Sequence, residues 1–189
     1  MKKLVCVWNL TAEQKRALET EAHDRYEVAY CAANEATKEL IQSAEIIFGN
    51  ADPVLLKNAS NLKWMQLNSA GADGYIAPGV FPVGAKLTNA SGAYGQAVAE
   101  HMFAVMLMLM KKLHLYRDAQ NKSVWTDMGD VTTPEGACVL IAGTGDIGTY
   151  FARLVKGVGA YTIGIKRKAA SALDFFDEIA AIDKLDEML

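Results

Sequence analysis

A glycine pattern between an apolar run and a helix is the feature of this sequence with the clearest chemistry. Residues 143–148 read Gly-Thr-Gly-Asp-Ile-Gly and directly follow the apolar run 137–142. The first glycine permits a tight turn, the second lets the backbone approach a diphosphate, and the third lets the helix pack against the strand. The N–H groups that open this helix can hold phosphates. The pattern therefore predicts dinucleotide binding, the alternative being a glycine-rich turn that serves only close packing. The predicted contacts are Gly143, Thr144, Gly145, Asp146, Ile147 and Gly148.

The residues after the next strand bear on which nicotinamide coenzyme binds. An acidic side chain there accepts hydrogen bonds from the ribose hydroxyls of NAD. This sequence instead has Lys166, Arg167 and Lys168, and the next acidic residue is Asp174. Cationic side chains suit the 2′-phosphate of NADP through charge-assisted hydrogen bonds. We therefore expect NAD(P) binding with a preference for NADP, the alternative being a basic loop that is only solvated.

A second loop of small residues could bind an anion. Residues 68–74 read Asn-Ser-Ala-Gly-Ala-Asp-Gly and follow an apolar run at 62–67. In open parallel sheets, ligands bind beyond the carboxyl ends of strands. Small side chains leave the backbone N–H groups open to a carboxylate. An ordinary glycine-rich turn explains the loop equally well.

Strands and helices must alternate to position these loops. Thr11 and Gln14 form a capping box that opens a helix ending near His23. A second helix is predicted at 35–43, and Pro53 opens a third. This alternation predicts an α/β protein whose flavodoxin-like parallel sheet is covered on both faces. Strands are predicted at 4–8, 26–30, 45–48, 62–67 and 86–88.

A second α/β unit is predicted at 137–189. Strands at 137–142 and 161–165 flank a helix at 149–158, and another helix opens near residue 183. These elements make up only part of a doubly wound Rossmann fold, which is built from two mononucleotide-binding halves. The predicted segments are a flavodoxin-like domain at 1–92, a helix and linker at 93–136, and a truncated Rossmann domain at 137–189.

A long helix is predicted between the two units, at 96–120. It contains nine consecutive apolar residues, Met102–Met110. A helix needs roughly twenty apolar residues to cross a bilayer, so this run is too short. A helix that is apolar on every side is usually buried in a core or a subunit interface. We favour that interpretation over a ligand-binding role for the methionines.

Composition excludes several classes of protein. The 189 residues carry a net charge of −3, so nucleic acid and anionic membranes are not expected as partners. Three widely spaced cysteines and the absence of a signal peptide indicate reduced thiols in a cytoplasmic protein. A phospho-receiver domain is a remote alternative, because the first strand ends Val7-Trp8-Asn9, without the acidic pair that holds Mg²⁺.

Taken together, these features resemble the D-isomer-specific 2-hydroxyacid dehydrogenases, the family that includes phosphoglycerate dehydrogenase and glyoxylate/hydroxypyruvate reductase. The resemblance rests on the flavodoxin-like unit, the loop 68–74, Val98-Ala99-Glu100-His101 at the start of the long helix, and the glycine pattern 143–148. It implies a substrate domain and a Rossmann domain that face each other across a cleft. It also implies hydride transfer between C4 of the nicotinamide and C2 of a 2-oxo or D-2-hydroxy acid.

The resemblance further implies roles for particular residues. The backbone of Ala70 and Gly71 would bind the substrate carboxylate, and Val98 would lie near the nicotinamide. The helix 96–120 would form the interface of a homodimer. The partners implied are therefore a small-molecule 2-oxo or 2-hydroxy acid and a second copy of the chain.

The resemblance also implies that catalytic residues lie beyond this sequence. The family uses an Arg to pair with the carboxylate, a His as general acid/base, and a Glu or Asp to orient that His, all late in its Rossmann domain. No histidine follows Gly148, and we expect His23, His101 and His114 to be surface or packed residues. We therefore predict no catalytic residue, no metal site and negligible turnover by this chain. The alternative is a non-catalytic dimerisation module whose nucleotide site is vestigial.

Overall fold

The computed structural model describes residues 1–167 and 174–188. The chain forms two compact units, Met1–Ser91 and Gly92–Leu189. The described residues of 93–136, predicted as a separate helix and linker, group with the second unit.

The first unit is built on a five-stranded parallel sheet. The strand order is β2-β1-β3-β4-β5, which confirms the predicted flavodoxin-like topology. One row of the register joins Val5, Ile47 and Met65, all fully buried, and Ile41 lies in the same core. The prediction of 4–8 for the first strand was wrong by two residues, because pairing with β2 begins at Lys2. The strands are β1 (Lys2–Cys6), β2 (Tyr26–Tyr30), β3 (Ile46–Phe48), β4 (Trp64–Gln66) and β5 (Lys86–Thr88).

Side-chain caps set where the helices of the first unit begin. The capping box that opens α1 (Ala12–Ala22) is confirmed: Thr11 Oγ1 accepts from the Gln14 N–H at 3.2 Å, and Gln14 Oε1 accepts from the Thr11 N–H at 2.9 Å. The helix predicted at 35–43 starts later, as α2 (Lys38–Ser43). Thr37 has extended backbone angles and accepts from the Leu40 N–H, so the helix cannot begin before it. Residues Ala33–Glu35 and Pro53–Leu56 form short 3-10 turns.

The long helix predicted at 96–120 is two helices, α3 (Gly95–Met110) and α4 (Leu113–Asn121). Lys112 between them adopts a positive φ of 54°. In a continuous helix, the Met110 carbonyl would accept from the N–H four residues later. Here it accepts from the Thr132 N–H at 3.1 Å, and the Lys112 ammonium donates to the Met128 carbonyl at 2.6 Å. The segment after α4 therefore supplies the contacts that replace helical ones at the break.

The second unit carries a three-stranded parallel sheet. Its strands are β6 (Cys138–Ala142), β7 (Tyr161–Lys166) and β8 (Glu178–Ala181), in the order β6-β7-β8. The helix α5 (Asp146–Gly157) connects the first two, and α6 (Leu185–Met188) follows a 3-10 turn after β8. This order is that of one mononucleotide-binding half, which confirms the Rossmann-type fold.

The strand β8 was missed by sequence analysis, and Asp177 explains why it forms. One carboxylate oxygen of Asp177 accepts from the Thr162 N–H at 2.8 Å, and the other lies 2.8 Å from the Lys156 ammonium. The Lys156 ammonium, together with the N–H and hydroxyl of Thr162, lowers the pKa of Asp177 to about 2. Asp177 thus holds the chain against the start of β7, and a four-residue strand can pair from that point.

Candidate functional site

The turn between β6 and α5 is shaped by its first and third glycines. Gly143 has a φ of +110°, and its N–H donates to the Ile165 carbonyl at 3.0 Å. A Cβ at Gly148 would overlap the Gly143 carbonyl oxygen and lie 3.0 Å from the carbonyl carbon. Both positions therefore require glycine for the fold itself.

The second glycine is not required by the fold. Gly145 has a φ of −80°, which any residue can adopt, and no described atom lies within 4 Å of the position its Cβ would take. It sits at the N-cap of α5, where the first N–H groups have no partner within the helix. The open space above these donors fits the close approach of a phosphate.

A crevice of about 600 Å³ adjoins this turn. Lys166 is half-buried and Arg167 exposed along it, where sequence analysis placed them, whereas Lys168 lies outside the described residues. The Thr144 hydroxyl is buried, and among the described residues it has no hydrogen-bond partner. A buried hydroxyl in that position is suited to form a hydrogen bond with a polar ligand in the crevice. The lining residues are Ala142, Gly143, Thr144, Gly145, Ile165, Lys166, Arg167 and Ile182.

The side chain of Asp146 lies elsewhere. Its carboxylate occupies the space that a Cβ at Gly95, the first residue of α3, would take, so a larger side chain there would have to displace the Asp146 side chain. Val98, one turn further along α3, is partly exposed. Sequence analysis gave no role to Gly95, because nothing in the sequence pairs it with a residue fifty positions away.

The loop 68–74 follows β4 and is held from both neighbouring strands. From the end of β3, Asn50 accepts from the Asn68 N–H and donates to Ser69 Oγ, both at 3.0 Å. From the end of β5, Asn89 donates to the Ala70 carbonyl at 2.7 Å. The predicted carboxylate-binding residues Ala70 and Gly71 are exposed. Sequence analysis missed Asn50 and Asn89, although Asn89 directly follows β5 and Asn50 lies two residues after the end of β3.

The histidines belong to elements other than these two loops. His23 follows α1 at the amino end of β2, whereas the loop 68–74 follows the carboxyl end of β4. His101 is exposed on α3, and His114 lies on α4. The described residues hold no cluster of three or more His, Cys, Asp or Glu side chains that fits a metal ion. Within the same residues, no helix is both long and apolar enough to pass through a bilayer.

The three cysteines are unpaired. Burial raises the pKa of the Cys6 thiol, and it also raises the pKa of Cys31, which is half-buried. Cys138 at the start of β6 is exposed.

Comparisons with known proteins bear on the whole chain. Residues 103–189 match the family described as D-isomer specific 2-hydroxyacid dehydrogenase, NAD binding domain. A solved D-isomer specific 2-hydroxyacid dehydrogenase family protein from Aeromonas salmonicida subsp. salmonicida A449 is 27% identical with a TM-score of 0.84, covering 99% of this chain and 60% of that one. The D-lactate dehydrogenase of Treponema pallidum (strain Nichols) is 33% identical over 108 residues, which are 56% of this chain and 33% of that protein.

A more distant solved structure shows the fold alone. The NAD-dependent formate dehydrogenase from Staphylococcus aureus, in complex with NAD, is 16% identical with a TM-score of 0.77 and covers 98% of this chain and 62% of that one. The chain spans about half the length of the curated relatives that it matches over most of its residues. On the glycine turn, the second parallel sheet and these matches, residues 103–189 are similar to the NAD binding domain of the D-isomer specific 2-hydroxyacid dehydrogenases.

Proposed function

We propose that this chain provides the coenzyme site and the substrate-carboxylate site of an NAD(P)-dependent oxidoreductase acting on a small 2-oxo or D-2-hydroxy acid. Bound NAD(P)H would supply a hydride to C2 of the 2-oxo acid, and a proton would complete the hydroxyl group. The observation that carries the proposal is the turn at Gly145, which leaves open space above unpaired helix N–H groups and borders a crevice. Those N–H groups would hold the diphosphate, and the backbone of Ala70 and Gly71 would hold the carboxylate.

Within this function, we infer a preference for NADP. Lys166 and Arg167 border the crevice and can both donate to a 2′-phosphate. Calorimetric titration of the chain with NADPH and NADH is expected to show tighter binding of NADPH. Arg167→Ala should reduce that preference about tenfold, the size expected for one lost charge-assisted contact. Lys122→Ala, an exposed lysine after α4, is the matched control; equal affinity for both coenzymes would contradict the preference.

A polypeptide of these 189 residues is expected to bind coenzyme without sustained turnover. Proton transfer to the developing alkoxide needs a donor tuned near neutral pH, usually a histidine. Neither loop has a histidine among its own residues, and the three in the sequence belong to other elements. A steady-state assay with glyoxylate or hydroxypyruvate and NADPH tests this. Continuous oxidation of NADPH by the pure polypeptide would show that the site is catalytically complete.

A second candidate function is dimerisation without catalysis, favoured by the apolar surface of α4 and the segment after it. Leu113 and Val124 are about half exposed, and Trp125 is fully exposed. A groove of about 540 Å³ lies beside them. We propose that this surface and α3 form a homodimer interface, because large exposed apolar patches mark association sites. The groove is lined by Tyr116, Ala119, Gln120, Ser123, Val124, Trp125 and Thr126.

Sedimentation velocity with and without NADPH separates the two functions. Leu113→Glu is expected to convert a dimer to a monomer, because burying an unpaired carboxylate in an interface is unfavourable. Val83→Glu is the matched control, since Val83 is fully exposed in the first unit. A dimer that binds no coenzyme supports the non-catalytic module, whereas a monomeric wild-type chain contradicts the interface. We also place the protein in the cytoplasm, on the basis of its three unpaired thiols.

A further inference from the structure

Three consecutive carbonyl groups in the loop 68–74 are each held by a donor. The Ser69 carbonyl accepts from the Ala90 N–H at 2.9 Å. The Ala70 carbonyl accepts from the Asn89 side-chain amide at 2.7 Å, and the Gly71 carbonyl accepts from the Ser69 hydroxyl at 2.8 Å. The orientation of three successive peptide groups is therefore fixed.

Fixing a carbonyl also fixes the next N–H. The chain has no cis peptide bond among its described residues, and in a trans peptide the C=O of one residue and the N–H of the next point in opposite directions. The N–H groups of Ala70, Gly71 and Ala72 therefore point away from the donors that hold the loop. No acceptor for these three N–H groups is found among the described residues.

Asn50 determines which way the Ser69 hydroxyl donates. These hydrogen bonds run from the Asn68 N–H through the side chains of Asn50 and Ser69 to the Gly71 carbonyl. Because a backbone N–H can only donate and a carbonyl can only accept, the first and last bonds each have one possible direction. Asn50 Oδ1 must accept from the Asn68 N–H, which leaves its Nδ2 to donate to Ser69 Oγ. The single hydroxyl hydrogen of Ser69 is then directed to the Gly71 carbonyl.

Gly49 places Asn50 over the end of β4. Its φ is +110°, and its N–H donates to the Gln66 carbonyl at 2.8 Å. A Cβ there would lie 3.0 Å from Val7 Cγ2 and 3.2 Å from the Trp8 nitrogen, so only glycine fits. This turn carries the Asn50 side chain from one strand end to the loop of the next.

We propose that Asn89 and the Asn50–Ser69 pair are positioning residues for a carboxylate site made of three N–H groups, those of Ala70, Gly71 and Ala72. This proposal rests on the proposed role of the loop in carboxylate binding, and it adds Ala72 to the site. Asn89 holds the Ala70 carbonyl and so fixes the direction of the Gly71 N–H. Ser69, oriented by Asn50, holds the Gly71 carbonyl and so fixes the direction of the Ala72 N–H. The ligand class is a small carboxylate, which can accept several hydrogen bonds at once.

Amide NMR of the full 189-residue chain during titration with glyoxylate tests the proposal. The signals of Ala70, Gly71 and Ala72 are expected to shift, and glycolaldehyde, which lacks the carboxylate, should not shift them. Asn89→Ala is expected to raise the dissociation constant about tenfold, the effect of one hydrogen bond to a charged group. In that variant the Gly71 amide should lose its response while the Ala70 amide keeps it, a selective change that general destabilisation does not produce.

Variants at Ser69 test the second positioning bond independently. Ser69→Ala is expected to weaken glyoxylate binding by about threefold to tenfold, and Ser69→Thr, which keeps the hydroxyl, should restore it. Asn61→Ala is the matched control, because Asn61 donates to the Gln42 carbonyl elsewhere in the same unit. If Asn89→Ala does not fold, as judged by its thermal transition, the Ser69 variants decide the question.

Two negative results have different meanings. If glyoxylate shifts none of the three amides in the wild-type chain, the carboxylate site of the proposed function is wrong. If the wild-type chain binds glyoxylate and the Asn89→Ala and Ser69→Ala variants bind it equally well, the positioning roles are wrong while the carboxylate site stands.

Discussion

Replacing Gly148 with alanine tests the structure of the coenzyme turn most directly. The new Cβ would overlap the Gly143 carbonyl oxygen and lie 3.4 Å from Ile141 Cγ2. The obstructing atoms belong to the backbone, which cannot rotate away as a side chain does, so α5 or the turn must shift. Overpacking of this kind costs about 1–3 kcal/mol. The same shift would move the helix N–H groups away from the diphosphate.

Gly157→Ala is the matched control in the same helix. No described atom lies within 4 Å of a Cβ at Gly157, and its φ is not positive. Alanine should therefore stabilise the helix by about 0.5–1 kcal/mol, because it reduces the entropy of the unfolded chain. The two variants carry the same chemical change, and we expect effects of opposite sign.

Urea unfolding followed through the amide signals of β6 and β7 reports on the second unit alone. Gly148→Ala is expected to lower its free energy of unfolding and to weaken NADPH binding by more than about tenfold. Gly157→Ala is expected to raise the free energy of unfolding and leave NADPH binding unchanged. A Gly148→Ala chain with wild-type stability and affinity would refute the close packing of the helix on the turn.

Acid should remove the stabilising effect of Asp177, whose pKa falls from 3.8 to about 2 on folding. Asp177→Asn should therefore be less stable than wild type at neutral pH, and the difference should vanish as pH falls from 3.8 to about 2 in urea titrations; equal stabilities at neutral pH contradict this. Met65→Ala is expected to lower the unfolding free energy by about 2–5 kcal/mol, because the side chain is fully buried. Met102→Ala is the control, because Met102 is partly exposed. Similar losses of unfolding free energy in both variants would contradict the assigned core. Cys138 should be alkylated before Cys6 in a brief iodoacetamide pulse mapped by mass spectrometry, since burial protects Cys6 and raises its pKa; faster labelling of Cys6 contradicts this.

Local chemistry was readable from the sequence. The capping box at Thr11 depends on residues three apart, and it is present as predicted. The strands predicted at 26–30 and 86–88 have those bounds. Gly159 follows α5 with a φ of +86°, a conformation typical of glycine at the end of a helix.

Elements that depend on distant contacts were not readable. The strand β8 needs Asp177 to bond with Thr162 and Lys156 before its four residues can pair. The break after α3 depends on Thr132, which lies beyond α4. Its N–H donates to the Met110 carbonyl, the acceptor that a continuous helix would use. Hydrophobic periodicity reflects only residues that are close in the chain, so it cannot predict hydrogen bonds made by distant residues such as Asp177 and Thr132.

By itself, the sequence determined the α/β class, the alternating strands and helices, and a glycine turn typical of dinucleotide binding. Each of these depends on residue types at short separations. Only the tertiary structure decided that the Asp146 carboxylate lies against Gly95, and that Asn50 and Asn89 hold the loop between them. The physical reason is that a hydrogen bond or a steric clash depends on distance in space. The parallel strands β3, β4 and β5 bring together residues that are 18 to 22 positions apart in the chain.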